Sequence, residues 1–172
     1  MFMIPNLISL SRIFLIFPII FCIMINNIHL AFLFFLIASF TDFLDGYIAR
    51  YLRQESVLGA NLDLLADKIF VSSLLIFISF HFDNLIYLLM TILIIAREIS
   101  IGTIRQYFLE TNKKNKAKVN FLGKFKTFFQ IFSIGVAMIF LDTEFSSIVE
   151  VVVIIAAALS WLSLFNYSYE KN

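Results

Sequence analysis

Two polar segments, TDFLDGYIARYLR at residues 41–53 and GANLDLLADK at residues 59–68, interrupt the long apolar runs of this chain. Together they contain four aspartates: Asp42, Asp45, Asp63 and Asp67. Within each segment the aspartates are three or four residues apart, so each pair shares one face of a helix. The short stretch between the segments lets the two helices run antiparallel, and we expect the two pairs to face each other.

The rest of the chain has the composition of a membrane protein. Hydrophobic residues make up 61% of its 172 residues and charged residues 15%, whereas soluble proteins contain roughly 45–50% and about 25%. So little polar surface cannot cover a water-soluble body of this size, and we expect the chain to lie in a bilayer. A net charge of +1 gives no indication of a nucleic-acid partner.

Six segments are apolar and long enough to cross a bilayer, which requires about 20 residues. They cover residues 5–26, 30–52, 61–81, 84–108, 122–141 and 146–167. We predict helices, because a backbone in hydrocarbon must satisfy its own polar groups, and the segments lack the alternation of barrel strands. The prediction is an all-α integral membrane protein with one catalytic domain over residues 1–172.

The basic residues favour one orientation in the membrane. They concentrate at the turn between the second and third helices, at the turn between the fourth and fifth, and in the C-terminal tail, and the other three turns contain no Lys or Arg. Because cytoplasmic loops carry the excess of basic residues, we expect both termini in the cytoplasm. The four aspartates then lie near the cytoplasmic face of the cell membrane.

Four carboxylates at a lipid boundary require compensation. One carboxylate at a helix centre costs about 2.5–3.5 kcal/mol, so four would cost on the order of 10 kcal/mol away from the interface. Arg50 and Lys68 supply too little charge, and Arg53 is expected in water. Two divalent cations, Mg²⁺ or Mn²⁺, which prefer oxygen ligands, are the better account. For any single aspartate, a solvated helix end or a structural salt bridge is the alternative.

The aspartates belong to a longer pattern, Asp42-x2-Asp45-Gly46-x2-Ala49-Arg50-x8-Gly59-x3-Asp63-x3-Asp67. With every position filled, this pattern resembles the signature of the CDP-alcohol phosphotransferases, also called CDP-alcohol phosphatidyltransferases, and the helical membrane context agrees with it. The resemblance implies a bundle of six transmembrane helices with its site near the cytoplasmic face. It also implies that the four aspartates hold two metal ions and that Asp67 serves as general base.

Three shorter motifs extend the resemblance over most of the chain: residues 4–12, residues 96–99 with Arg105, and residues 122–127. They are similar to those of the bacterial branch of the family whose acceptor is glycerol 3-phosphate. The resemblance therefore implies transfer of the phosphatidyl group of CDP-diacylglycerol to that acceptor, with release of CMP and formation of phosphatidylglycerophosphate. The chain departs from the family at Ser9, where Thr is common, and at Leu64, where Pro is common.

Two groups of binding residues are expected. The CDP-lipid is predicted to contact Gly46, Ala49, Arg50 and Gly59 and, as the resemblance alone implies, Asn6 and Arg12. The phosphate of the acceptor is predicted to contact Arg97, Arg105, Lys124 and Lys126. A glycine lets a nucleotide approach the backbone, and an arginine inside a span is too costly to be idle. The alternatives are that the glycines serve packing or turns, that Arg50 reaches the interface, that Arg97 pairs only with Glu98 or another carboxylate, and that the other basic residues only anchor the orientation.

Other functions stay open on the sequence alone. The acceptor could be inositol phosphate, serine or phosphatidylglycerol. An Asp-rich intramembrane prenyltransferase would also bind a diphosphate through Mg²⁺, and a small cation transporter could carry intramembrane carboxylates. The clustering of the aspartates beside Arg50 disfavours transport. The expected partners are CDP-diacylglycerol, glycerol 3-phosphate, membrane lipids and, as is common in the family, a second copy of the chain in a homodimer.

Overall fold

The computed structural model describes residues 4–51, 57–110, 121–141 and 146–169, and every regular element within these ranges is an α-helix. The helices are α1 (Ile4–Met24), α2 (Ile28–Tyr51), α3 (Val57–Phe82), α4 (Leu85–Glu110), α5 (Phe121–Ile139) and α6 (Ser146–Tyr169). The prediction of an all-α fold is confirmed. Each helix falls on one predicted segment, and α3 shows the largest shift, because it begins at residue 57 and not at residue 61.

Two of the connections are tight turns closed by polar side chains. Asn26 and Asp83 have φ angles of 60° and 47°, in the left-handed region that Asn and Asp tolerate better than most residues. The Asn27 and Asn84 side-chain oxygens each accept a hydrogen bond from the backbone N–H three residues later, at 3.3 and 3.0 Å. These N-cap bonds satisfy donors that a helix start leaves open, so the polar residues between the apolar runs decide where α2 and α4 begin.

The chain divides into two compact units. The first unit, residues 1–78, contains α1, α2 and most of α3. Helices α1 and α2 pack along each other, and α3 joins α2 through Phe70, whose ring stacks on that of Phe35 at a centroid distance of 6.1 Å. Ile19, Ala31 and Leu74 are fully buried in this unit. The core is thus made of apolar side chains, and small residues such as Ala31 allow close approach of the helices.

The second unit, residues 79–172, contains the end of α3 and the helices α4, α5 and α6. Asn84 donates a hydrogen bond of 2.6 Å to Glu150 near the starts of α4 and α6. Phe108 packs on Tyr167 near the ends of the same two helices, at a centroid distance of 6.4 Å. The start of α4 therefore contacts the start of α6 and the end of α4 contacts the end of α6, so the two helices run parallel. Helix α5 also packs against α6.

Two helical stretches in the described residues are long and apolar enough to cross a membrane by length and composition, Leu85–Phe108 and Ser147–Tyr167. Shorter apolar helical stretches cover Ser9–Met24, Ile28–Thr41 and Phe125–Ile139. All six predicted segments are helical. Their insertion in a membrane, the side on which the termini lie and the organisation as one catalytic domain stay predictions.

Candidate active site

Helix α3 presents two of the four signature aspartates. Asp63 and Asp67 are four residues apart in α3, and one turn of helix separates them, so they lie on the same face. The Asp63 side chain is 47% exposed, and Asp67 is half-buried. Gly59 lies within the first turn of α3, one turn before Asp63. The start of this helix therefore carries three signature residues along one side.

Arg12 of α1 reaches this part of α3. Its Nη2 atom donates a hydrogen bond of 2.7 Å to Oδ1 of Asp63, across 51 residues of sequence. The Arg12 side chain is only 1% exposed. A buried guanidinium requires a negative partner, because taking a charge out of water is costly. The first helix thus contributes an ion pair to the aspartate site, a contact that residue spacing could not reveal.

The stack of Phe35 on Phe70 sets the register of α2 against α3. A stretch of five residues, 52–56, links the end of α2 to the start of α3, and both rings lie well inside their helices, so the two helices run antiparallel. Residue 42 is seven residues after Phe35, and residue 63 is seven residues before Phe70. Seven residues are almost two turns, or about 10 Å, so in ideal antiparallel helices the backbone positions 42 and 63 lie at the same level.

Several predicted site residues have side chains outside the described part of the structure: Asn6, Asp42, Asp45, Gly46, Ala49, Arg50, Arg105 and Lys124. Their backbone belongs to α1, α2, α4 and α5. Their predicted roles stay predictions.

The donors that are described suit a divalent cation. Asp63 and Asp67 offer carboxylate oxygens, which Mg²⁺ and Mn²⁺ prefer. A carboxylate has about four lone-pair sites, so Asp63 can hold Arg12 with one oxygen and a cation with the other. Among the described side chains, no three His, Cys, Asp or Glu residues come close enough to hold a metal. The two α2 aspartates would be needed to complete the donor set.

A second polar site lies inside the second unit, and we name it the α4–α6 polar cluster. It consists of Arg97, Glu98, Lys126, Gln130, Ser160 and Ser163. Arg97 is only 3% exposed and donates three hydrogen bonds. They run from Nε to the Ser160 carbonyl oxygen at 2.8 Å, from Nη1 to Oε1 of Glu98 at 3.1 Å, and from Nη2 to Oγ of Ser163 at 3.1 Å. The guanidinium therefore ties α4 to α6.

Helix α5 joins the cluster through two side chains one turn apart. Lys126 donates from Nζ to Oε1 of Glu98, and Gln130 donates from Nε2 to the same oxygen at 3.3 Å. The Gln130 amide also lies 2.8 Å from Oγ of Ser160. Glu98 is thus the common acceptor of groups on α4 and α5, and the cluster links three helices by buried, charge-assisted bonds.

The cluster bears on two predictions of the sequence analysis. Arg97 and Lys126 were both predicted to bind the phosphate of the acceptor. Both are buried, and both donate to Glu98. The pairing of Arg97 with Glu98, which was the alternative, is the contact that the structure shows. Phosphate binding by either residue stays a prediction.

Sequence reasoning did not assign roles to Gln130, Ser160 or Ser163. Each is a polar residue within a mostly apolar helix, and each is buried, with 2%, 0% and 4% exposure. The available signal was the cost of a polar group inside an apolar segment, which indicates a hydrogen-bond partner in the bundle. The identity of that partner depends on helix packing.

Comparison with known proteins bears on both units. Residues 2–164 match the family model for CDP-alcohol phosphatidyltransferases. The chain is 34% identical over 137 residues to the CDP-diacylglycerol–glycerol-3-phosphate 3-phosphatidyltransferase of Sodalis glossinidius, with 80% of this chain and 75% of the relative covered. Its identity to the protein of the same name in Haemophilus influenzae is 35% over 136 residues, covering 78% and 73%.

A third relative aligns over almost the full length. The CDP-diacylglycerol–glycerol-3-phosphate 3-phosphatidyltransferase of Wigglesworthia glossinidia brevipalpis is 31% identical over 170 residues, with 96% of this chain and 93% of the relative covered. The residues matched by the family model include the aspartate signature, the helices α1 to α5 and most of α6. The resemblance inferred from the signature is confirmed, and the chain belongs to the CDP-alcohol phosphatidyltransferase family.

Proposed function

We propose that this protein is a membrane enzyme that transfers the phosphatidyl group of CDP-diacylglycerol to a hydroxyl of glycerol 3-phosphate. The products are CMP and phosphatidylglycerophosphate, so the enzyme acts in phospholipid biosynthesis. The observation that carries this proposal is the complete aspartate signature in a chain that aligns over 96% of its length with a relative whose name states this donor and acceptor. The relatives named above do not support the prenyltransferase or cation-transporter alternatives.

The proposal places all six helices across the cell membrane, with both termini in the cytoplasm. The length and apolar composition of Leu85–Phe108 and Ser147–Tyr167 support it. So does the parallel course of α4 and α6, because two spans separated by one other span must run in the same direction. The outward phenylalanines of α1, Phe14, Phe17 and Phe21, are 62–69% exposed, as suits a face toward lipid.

In this proposal Asp42, Asp45, Asp63 and Asp67 hold two divalent cations, Mg²⁺ or Mn²⁺. Such cations, when bound, supply positive charge and Lewis-acid polarisation to an anionic diphosphate. The carboxylates fix where that charge lies. Arg50 adds a permanent positive charge to the diphosphate site, and the CDP-lipid lies against Asn6, Gly46, Ala49 and Gly59. Arg12 was also predicted to contact this lipid.

The acceptor hydroxyl reacts with the lipid-side phosphorus of CDP-diacylglycerol. The hydroxyl oxygen forms the new bond to phosphorus, the bond from that phosphorus to the bridging oxygen breaks, and CMP leaves with the bridging oxygen. Asp67 accepts the hydroxyl proton, a role for which a positioned carboxylate is suited and which typically contributes about 10²–10⁴-fold to the rate.

The phosphate of the acceptor requires a cationic pocket, and we assign it to Arg97, Arg105, Lys124 and Lys126. Arg97 and Lys126 share Glu98 as their acceptor, which holds both positive charges in one place. Arg105 lies on α4 and Lys124 on α5, each nearer in sequence to the loop between these helices than Arg97 and Lys126 are. All four thus belong to α4 and α5, and the proposal predicts that the phosphate lies between these helices.

An acceptor panel tests the proposal. The purified chain in detergent receives CDP-diacylglycerol, Mg²⁺ and, in separate reactions, glycerol 3-phosphate, inositol phosphate, serine or phosphatidylglycerol. We expect CMP and phosphatidylglycerophosphate in equal amounts with glycerol 3-phosphate only, measured by mass spectrometry. A lipid product from another acceptor would assign the chain to another branch of the family. Absence of CMP with every acceptor would contradict the proposed activity. Light scattering on the same sample tests the predicted homodimer.

A further inference from the structure

We infer that Arg12 is a positioning residue of the metal site: it acts through Asp63, whose carboxylate it holds in place, and not by contact with the CDP-lipid. This inference rests on the proposed function, because it takes Asp63 as a metal ligand. It replaces the role that family resemblance predicted for Arg12. The contact that supports it joins α1 to α3 within the first compact unit.

The two partners of the ion pair differ strongly in exposure. The Arg12 side chain is 1% exposed, and the Asp63 side chain is 47% exposed. A ligand that approaches this pair therefore meets the carboxylate first, with the guanidinium behind it. While Arg12 keeps this contact, its charged end is bonded to the carboxylate and shielded from solvent. We therefore expect Arg12 to act on the reaction through Asp63.

The bond between the two side chains fixes the carboxylate. An aspartate carboxyl group rotates readily about its last side-chain bond, and a loose ligand binds a cation weakly. A charge-assisted hydrogen bond of 2.7 Å to Oδ1 restricts that rotation and leaves Oδ2 for a cation. Partners that orient a metal ligand in this way typically contribute about 10–100-fold to metal affinity.

Arg12 also carries a positive charge, which by itself opposes the binding of a cation nearby. The substitution Arg12→Lys separates this effect from positioning. Lysine keeps the charge, but its single ammonium lacks the planar fork that fits a carboxylate. The electrostatic effect is therefore retained while the positioning is lost. Arg12→Met removes both the positive charge and the hydrogen bond to Asp63, and it shows the combined effect of the two losses on cation binding.

The chain offers a matched control in Arg97→Lys. Arg97 is likewise buried, at 3%, and likewise bonded to a carboxylate, at 3.1 Å from Glu98. The substitution Arg97→Lys therefore makes the same change of side chain in a buried ion pair of the other compact unit. Any general loss of metal binding through weakened folding would appear in both variants, whereas loss of positioning at Asp63 would appear only in the first.

The experiment measures Mn²⁺ binding to the purified full chain in detergent, from the electron paramagnetic resonance signal of free Mn²⁺. We expect Arg12→Lys to weaken Mn²⁺ binding about 10-fold and Arg97→Lys to leave it unchanged. At saturating Mn²⁺, the KM for CDP-diacylglycerol should be unchanged in Arg12→Lys. In an Asp63→Asn background, Arg12→Lys should cause no further loss, because its effect passes through Asp63.

Two results would overturn the inference. One is unchanged Mn²⁺ affinity in Arg12→Lys together with a raised KM for CDP-diacylglycerol, which would make Arg12 a lipid contact. The other is an equal loss of Mn²⁺ affinity with or without Asp63. If Arg12→Lys is not recovered as a monodisperse protein, Arg12→Gln, whose amide also donates a hydrogen bond, is judged by the same criteria. A wild-type protein that binds no Mn²⁺ would instead contradict the metal site of the proposed function.

Discussion

Among the residues whose side chains the structure describes, two arginines are buried and bonded to a carboxylate, one in each compact unit. Arg12 pairs with Asp63, which is 47% exposed, whereas Arg97 pairs with Glu98, which is 12% exposed. The first pair leaves its carboxylate open to a ligand. The second lies in a cluster in which the same carboxylate oxygen also accepts bonds from α5. A buried arginine can therefore pair with an acid that stays open to a ligand or with one enclosed in the bundle, and the exposure of the acid distinguishes the two cases.

The side chains around the two ion pairs support the same distinction. Asp63 lies one turn from Asp67, so acids gather on the exposed side of the first pair. Glu98 lies beside Lys126 and Gln130, so donors gather around the acid of the second. Crowded acids attract a cation, whereas a carboxylate surrounded by donors is already satisfied. The comparison predicts loss of activity from changes in the first region and loss of stability from changes in the second.

The largest expected effect is on activity, from Asp67→Asn. This change keeps the size of the side chain but removes a proposed metal ligand and the proposed base. We expect CMP release to fall by about 10³-fold or more, measured with CDP-diacylglycerol and glycerol 3-phosphate. EDTA should do the same to the wild-type protein, and added Mg²⁺ or Mn²⁺ should reverse it. Activity that survives both treatments would contradict the proposed metal site in the first region.

The second-largest expected effect is a loss of stability, caused by Glu98→Gln. Loss of this carboxylate leaves the buried Arg97 and Lys126 without the acid to which both donate. Breaking one side of a buried ion pair costs about 3–5 kcal/mol. We expect a corresponding fall in the free energy of unfolding in mixed micelles. Asp63→Asn likewise leaves a buried arginine, Arg12, without its carboxylate and should also lower the free energy of unfolding, but in addition it should abolish CMP release. CMP release that survives Asp63→Asn would break the comparison.

The smallest effect is expected from Ser163→Ala, at the edge of the α4–α6 polar cluster. The change removes one hydrogen bond to Nη2 of Arg97 and leaves the contacts of Arg97 with Glu98 and Ser160 in place. Such side-chain bonds between membrane helices contribute about 0.6 kcal/mol on average. We expect a loss of this size by the same unfolding measurement. Ser147→Ala, at an exposed position of α6, is the control and should cause no measurable change.

Part of the fold could be predicted because it depends on local sequence. An apolar run of about 20 residues must form a helix in hydrocarbon, whatever its neighbours are, so all six helices were found. Polar residues such as Asn27 and Asn84 end the runs and cap the next helix, which explains why most ends agree closely. The start of α3 was missed by four residues, because Val57 and Leu58 continue the helix before Gly59.

Part of the site could be predicted for the same reason. The spacing of Asp63 and Asp67 places both on one helix face without any knowledge of packing. The full signature identified the family, since eight residues at fixed spacing are rarely matched by accident. The contacts that Arg12, Arg97 and Lys126 make with other helices could not be predicted, because each depends on which residue of another helix lies opposite.

The sequence by itself determined the helices, their order, the family and the face of α3 that carries its acids, because these follow from runs and spacings within one segment. Only the tertiary structure decided that Arg12 meets Asp63 across 51 residues and that Arg97 meets Ser160 and Ser163. The reason is physical. A helix made for a bilayer is apolar on nearly every side, so hydrophobicity does not select the face that packs. That choice depends on the fit of side chains and on a few polar groups, whose partners are known only once the helices have met.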